Sequence, residues 1–324
     1  MLNWIVVGIG DIARRRVIPA IQAEPRSQLY GLVTRDPAKA ASYNACVWTT
    51  LDEALCDPAV QAVYIATPVF LHAPQTIQSL CAGRHVLCEK PMAMTEAEAR
   101  SMVKVAEETG VTFGVAYYRR TYPKLLRAKE LIAAGAIGKP VFAELTSHGW
   151  FAPETSDEQN SDRSWLIDPA KAGGGPLYDI ASHRIDVLNF LFGQPLRVSG
   201  HLSNAVHHYA VEDNATVMID YAGGVRGLVD VRWHSKVKRD ECRIRGTDGE
   251  IELSPLNGPE LIYHGGSESL PPHSNLHYPI IENFVDAVLG KSAPLASGAS
   301  SYWTDWVIEQ ARRKNPAAAI DSTY

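Results

Sequence analysis

Trp4-Ile5-Val6-Val7-Gly8-Ile9-Gly10-Asp11-Ile12-Ala13 is the stretch on which the fold turns. Four apolar residues in a row read as a buried strand, and the pattern from Ile12 to Ala23 reads as a helix. Between them stands Gly8-x-Gly10-x-x-Ala13, in the strand-to-helix context that a dinucleotide fingerprint requires. The first glycine allows the tight turn, the second lets the backbone approach a pyrophosphate, and a small third residue lets helix and strand pack closely. The helix N-terminus offers N–H groups and partial positive charge to phosphates. Gly8, Gly10, Asp11, Ile12 and Ala13 are therefore expected to bind a cofactor; the competing reading is a tight turn with no ligand. Arg14, Arg15 and Arg16 oppose the helix dipole unless a pyrophosphate offsets them, and three solvated arginines explain them equally well.

Outward from this stretch, the first 120 residues alternate short apolar strands (Trp4–Val7, Leu29–Val33, Ala62–Ile65, His85–Cys88, Thr112–Val115) with helical patterns, the grammar of a parallel α/β sheet. After Tyr122-Pro123 the grammar changes. Longer alternating strands follow, Val141–Ser147, Val198–Ala205, Ala215–Tyr221, Val225–Trp233, Glu241–Gly246 and Glu250–Leu253, which predict a mostly antiparallel open sheet with one packed face. The expected fold is an α/β Rossmann domain over 1–121 and an α+β domain over 122–324, with the last helix, about 302–313, free to pack back on the first domain. Phe151–Arg163 reads as an exposed loop.

The 324 residues suffice for two cores, and 46% hydrophobic with 21% charged residues is a globular composition. A net charge of −5 without a Lys/Arg block argues against nucleic acid. No apolar run reaches the roughly 20 residues that span a bilayer. The five cysteines lack C-x-x-C or framework spacing, so no metal or disulfide set is expected. With a strand starting almost at Met1 there is no room for a signal peptide, and a cytoplasmic location is expected.

Cofactor choice falls at the end of the second strand, where an Asp or Glu would accept from the adenosine ribose. Here the residues are Val33-Thr34-Arg35-Asp36. Thr34 takes the strand-end place, Arg35 suits a 2′-phosphate, and Asp36 comes late, so NADP is favoured over NAD.

Two further segments carry chemistry. Cys88-Glu89-Lys90-Pro91 puts a lysine at a strand end, where open α/β sheets present residues to ligands. Gly173-Gly174-Gly175-Pro176 opens a helix on which Asp179, His183 and Asp186 share one stripe amid apolar residues, so the helix is expected to be buried and its polar groups partnered. One reading is a satisfied structural Asp/His pair. The other is oxidation of a secondary alcohol: hydride leaves to nicotinamide, His183 takes the proton, Lys90 stabilises the alkoxide, and Asp179 orients substrate or assists His183.

Glu89-Lys90-Pro91, Asp179-x-x-x-His183 after the glycine triplet and the Asn283-Phe284-Val285-Asp286-Ala287 helix together resemble the Gfo/Idh/MocA oxidoreductases over essentially the whole chain. The resemblance implies catalytic Lys90, Asp179 and His183. It places Ala66-Thr67-Pro68-x-x-x-His72 beside the cofactor, making Thr67, Pro68 and His72 contacts, although His72 also reads as a helix-start histidine. It makes Glu89 structural or cofactor-facing. Tyr117, Arg119 and Arg120 match the family's aromatic-basic segment, with Tyr117 and Arg119 toward substrate, and Trp165 stands in a Trp-Arg position whose arginine is here Leu166, so that cofactor contact is missing. The implied activity is hydride transfer between nicotinamide and a sugar, inositol or related polyol, in a homodimer or homotetramer joined through the second sheet. Alternatives are a glycosidase using transient oxidation and elimination, and a non-catalytic dinucleotide and sugar sensor.

Overall fold

The computed structural model describes residues 1–153 and 163–313, so most of the loop expected over Phe151–Arg163 lies outside the described residues. The chain divides into two compact units, one formed by 1–121 with 273–302, the other by 122–272 with the residues from Trp303 onward.

In the first unit, β1 (Leu2–Val7), β2 (Ser27–Val33), β3 (Cys46–Trp48), β4 (Ala62–Ile65), β5 (His85–Cys88) and β6 (Phe113–Val115) form a parallel sheet of order β3-β2-β1-β4-β5-β6. Strand order reverses between β1 and β4, and the crevice outside their carboxyl ends is where doubly wound sheets take a ligand. Successive strand residues point to opposite faces. Ile5, Val7, Val63, Ile65 and Val86 build one core cluster, while Trp4, Val6, Tyr64 and Leu87 build the other.

Residues 273–302, assigned from sequence to the second domain, group with the first unit instead. Ile281, Phe284 and Val285 of the helix Tyr278–Val288 are buried in the cluster of Trp4 and Leu87, and Arg26 bonds Asp286 at 2.5 Å. Burying that apolar face decides where the helix belongs. From Trp303 onward the closing helix Gly298–Arg313 counts with the second unit, where Ala311 lies against Gly200.

The second unit is an eight-stranded sheet of β7 (Pro140–Trp150), β8 (Pro195–Ser203), β9 (Asn214–Tyr221), β10 (Arg226–Arg232), β11 (His234–Gly246), β12 (Glu250–Glu252), β13 (Glu260–Tyr263) and β14 (Gly266–Ser269). Its order is β14-β13-β12-β11-β7-β10-β9-β8, antiparallel except for the β7–β10 pair. Leu145, Val217, Val229, Val231 and Ile244 are buried on one face. The other face carries cross-strand ion pairs: Arg245 with Glu144 and Glu250, Arg243 with Glu252, and Arg226 with Asp220. It is charged, with Trp150, Met218 and Ile262 among its exposed apolar members, so it is not a broad apolar surface. Among the described residues no helix is long and apolar enough to cross a membrane.

Candidate active site

The fingerprint turn has the geometry that its residue types dictate. Gly8 donates its N–H to Val33 O at 3.0 Å and adopts φ +91°, and a Cβ there would lie 2.9 Å from Ala66 O. Both the left-handed backbone and the close approach exclude a side chain. Around Gly10 nothing stands within 4 Å of where a Cβ would be, which leaves its backbone open to a ligand, while Ala13 is fully buried under the helix it starts. These residues fit a dinucleotide pyrophosphate. The helix itself opens with a π-turn, Ala13–Val17, and among the three arginines Arg14 is paired with Asp11 at 2.7 Å.

At the end of β2, Thr34 is the first residue past the strand and is held by its N–H to Trp48 O at 3.0 Å. The Asp36 carboxylate accepts from Ala38 N at 3.2 Å, capping the short helix Pro37–Ala40, and Arg35 is exposed.

Beyond β4, Thr67 donates its hydroxyl to Gln75 Oε1 at 2.8 Å, and Pro68 precedes a 3-10 turn, Val69–Leu71. His72 is 1% exposed, with Nδ1 2.9 Å from Pro91 O and Nε2 2.8 Å from Thr67 O. Each ring nitrogen faces a backbone carbonyl, and a neutral imidazole, with a single N–H, donates to one of the two. His72 thus lies between the Thr67 loop and the segment after Lys90. Burial, the largest influence, holds its pKa below the usual histidine value although both carbonyls and Glu89 pull upward.

Lys90 follows β5 and precedes a cis peptide to Pro91. Its backbone N–H donates to Glu89 Oε2 at 3.2 Å. Glu89 is 7% exposed and its Oε1 accepts from Tyr64 Oη at 2.7 Å and His277 Nε2 at 3.1 Å. Burial alone would push this carboxyl up, but the His277 and Tyr64 bonds and the Lys90 charge outweigh it and hold Glu89 below the usual range. Glu89 is accordingly a buried, ionised carboxylate. Burial and that same carboxylate drive the Tyr64 hydroxyl well above its usual pKa.

After β6, Tyr117 is fully buried in the core cluster of Val115 and Ile280. Arg120 is also buried, donating to Leu295 O at 3.0 Å and Ser300 Oγ at 2.8 Å. Arg119 differs. It is 6% exposed and lies 5.0 Å over the Tyr118 ring, yet its Nε and Nη1 have no hydrogen-bond partner among the described residues.

In the second unit the glycine triplet is explained by close packing. A Cβ on Gly173 or Gly174 would lie 2.4 or 2.6 Å from the Tyr178 ring, and one on Gly175 would meet Glu212 O at 2.0 Å. Arg312 donates to Tyr178 Oη at 2.7 Å, and burial lifts the Tyr178 pKa to about 12. Asp179 lies on the π-turn Leu177–Ala181 and His183 in the first turn of the α-helix Ser182–Phe192. All residues from Ser182 to Asn189 are buried, as an apolar-all-round helix requires. His183 is 6% exposed, while Asp179 is partly exposed with Arg163 Nη2 3.8 Å from its Oδ2. Trp165 packs with Phe151, Leu166, Val211 and Trp233, next to Ile180 of the π-turn Leu177–Ala181.

The sequence reading missed Glu212. Its carboxylate accepts from Gly175 N at 2.9 Å and Leu177 N at 3.0 Å, capping the start of the Asp179 helix, with burial raising its pKa. His277 was missed as well. Among the described residues no three His, Cys, Asp or Glu side chains are grouped to hold a metal ion. A cavity of about 730 Å³ lies at the amino-terminal end of the first sheet, lined by Leu2, Arg26, Gln61, Arg84 and His85, on the edge opposite the fingerprint.

Comparison with known proteins follows the same division. Residues 2–117 match the model of an oxidoreductase family with an NAD-binding Rossmann fold, and residues 125–252 match the GFO/IDH/MocA C-terminal domain. The Oxidoreductase P35 of Formosa agariphila is 30% identical over 260 aligned positions, covering 78% of this chain and 79% of that protein. The chain belongs to the Gfo/Idh/MocA family. It is an NAD(P)-dependent oxidoreductase with the family's Rossmann domain and mostly antiparallel second sheet. A family member similar along its whole length is the 1,5-anhydro-D-fructose reductase of Ensifer adhaerens, 28% identical with 99% of each chain covered. Among solved family structures, the aldose-aldose oxidoreductase from Caulobacter crescentus, complexed with glycerol, superposes with a TM-score of 0.85, 25% identity and 97% of each chain covered.

Proposed function

We propose that this oxidoreductase transfers a hydride between the nicotinamide of NADP(H) and a secondary alcohol or ketone of a sugar, inositol or related polyol. The observation that carries the reading is the fixed Glu89-Lys90 segment at the end of β5, where a buried ionised carboxylate holds the lysine backbone. When bound, the nicotinamide accepts or returns the hydride. In oxidation the substrate C–H bond breaks to give that hydride, and the hydroxyl proton passes to His183 as general base. The Lys90 ammonium stabilises the developing alkoxide, and Asp179 accepts from a neighbouring substrate hydroxyl. Reduction runs the same steps in reverse, with His183 as acid.

Arg119 and Trp165 are assigned to substrate. A buried guanidinium lacking partners on two nitrogens invites an oxygen-rich ligand, because leaving such donors unmet is costly. Gly8, Gly10, Asp11, Ile12, Ala13, Thr67 and Pro68 are assigned to the dinucleotide, with Thr34 and Arg35 at its adenosine ribose. The preference for NADP rests on the absence of a carboxylate from Thr34 and on the exposed Arg35 beside it.

The enzyme is assigned to the cytoplasm, in keeping with its free cysteines. It works as a homodimer or homotetramer through the charged face of the second sheet, whose ion-pair ladder supports a polar, self-complementary interface. The dehydrogenase reading is preferred to a transient-oxidation glycosidase and to a sensor: the similar proteins are named for reductase and oxidoreductase activities. Incubating the enzyme with NAD⁺ or NADP⁺ and a panel of aldoses, inositols and anhydro- or keto-sugars, while following nicotinamide absorbance, tests the reading. Net reduction of NADP⁺ by a free sugar or polyol supports it. Release of an aglycone without net reduction, or binding without any turnover, contradicts it.

A further inference from the structure

Glu89 follows β5 with both carboxylate oxygens committed: Oε1 to Tyr64 and His277, Oε2 to the Lys90 backbone N–H. His277 reaches this carboxylate across 188 residues of sequence, from the turn just before the helix Tyr278–Val288. Its ring is fully buried, 4.8 Å from the Tyr118 ring, and its backbone N–H is fixed by Asn275 Oδ1 at 3.0 Å. Nδ1 has no hydrogen-bond partner among the described residues, so the side chain makes a single polar commitment, the one to Glu89. Burying an imidazole for one bond is a poor stability device, since an apolar ring would fill the space without desolvating a nitrogen. The arrangement makes sense if the bond itself is needed.

We infer that His277 is a positioning residue for the reaction: its Nε2–H fixes the Glu89 carboxylate in the rotamer whose second oxygen holds the Lys90 backbone, and so sets where the lysine ammonium stands. Because ionised Glu89 can only accept, the proton in the contact lies on Nε2. Tyr64 alone does not replace it. Without His277 the carboxylate is held from outside its own segment by Tyr64 alone, whereas two donors from different elements, β4 and the turn before the 278–288 helix, fix Oε1 while Oε2 meets the adjacent Lys90 N–H. Misplacing a reacting group by about 1 Å costs on the order of 100-fold in rate, which is the scale on which such a hold matters.

The inference rests on Lys90 acting at the substrate oxygen, and the test separates the two. Lys90→Met is measured first; if it retains wild-type turnover, the catalytic reading of Lys90 falls. With that variant inactive, His277→Asn and His277→Gln are compared for kcat, for KM of the dinucleotide and for Tm. Asn is too short to bring a donor to Glu89, whereas Gln places an N–H near the position of Nε2. His277→Asn is expected to lower kcat about ten- to a hundredfold with dinucleotide KM within about threefold, and His277→Gln to recover most of that loss. Glu89→Gln supplies an arm that does not depend on the folding of either histidine variant. It is expected to reproduce the kcat loss, and the double variant Glu89→Gln/His277→Asn to be no worse than Glu89→Gln alone. Equal kcat in His277→Asn and His277→Gln, additive losses in the double variant, or wild-type kcat in Glu89→Gln would overturn the inference.

Discussion

Glu212 accepts the backbone N–H of Leu177 at 3.0 Å, and with the bond from Gly175 it closes the first turn of the segment that carries Asp179 and His183. The cap comes from another part of the chain, so the helix start is fixed by tertiary structure. Glu212→Ala leaves two buried amides without an acceptor and is expected to cost about 1–3 kcal/mol of stability and to lower turnover, whereas Glu212→Gln keeps one acceptor and recovers part of both. Thermal unfolding and steady-state kinetics on the two variants check this.

Asp213, the next residue, has a different surrounding. It is fully buried and accepts backbone N–H groups of Ala205, Val206 and His207 at 2.9, 2.8 and 2.8 Å. Burial would raise its pKa, but these bonds and Asn214 outweigh it and hold the carboxyl below the usual aspartate value. A depressed folded pKa means that its stabilisation is present above the unfolded pKa and lost as pH falls through the folded one. Asp213→Asn should therefore lower Tm most near neutral pH, with the gap from wild type narrowing as pH drops below about 4. A gap independent of pH would count against this assignment.

Arg119 gives a prediction of opposite sign for stability. A buried guanidinium with two unmatched nitrogens is a cost in the free protein, so Arg119→Met is expected to leave Tm unchanged or raise it. Substrate KM should rise about tenfold or more, the worth of a lost hydrogen bond to a charged group. Calorimetry and kinetics together decide it, and a lowered Tm with unchanged KM would return Arg119 to a structural role.

Cofactor choice is tested at Thr34. Thr34→Asp puts a carboxylate where the ribose hydroxyls bind and a 2′-phosphate would be repelled. The ratio of NADP⁺ to NAD⁺ affinity should fall about tenfold or more, read from quenching of tryptophan fluorescence on titration. An unchanged ratio would show that the adenosine half binds elsewhere.

Much of the fold was legible because each Rossmann strand is an apolar run closed by a turn residue, and Gly8, Gly10 and Ala13 have local conformational reasons to be what they are. The edge strand Cys46–Trp48 escaped because it is short and mostly exposed, carrying no periodic signal. The hairpin of β13 and β14 was hidden in the same way. Sequence shows a polar group but not its surroundings, so neither the carbonyls of Thr67 and Pro91 on either side of His72 nor the core around Val115 that buries Tyr117 could be read from it. Residues 273–302 were misplaced because the contacts that claim them, with Trp4, Leu87 and Glu89, are separated from them by most of the chain. Glu212 and His277 had no legible signal, since a single buried polar residue acquires meaning only from what tertiary structure brings to it. The glycine triplet did hold a usable clue: with Tyr178 close behind it, small residues under an aromatic ring are a packing signature.

The assignment of His183 as general base and acid is the centre of the account, and His183→Ala tests it most directly. With the sugar or polyol found by the substrate panel, the account predicts a fall in kcat of about 10² to 10⁴ while the dinucleotide Kd stays within about threefold, because the imidazole serves the reacting hydroxyl and not the adenosine half. Wild-type turnover in His183→Ala would contradict it and leave His183 as a buried structural residue of the Ser182–Phe192 helix.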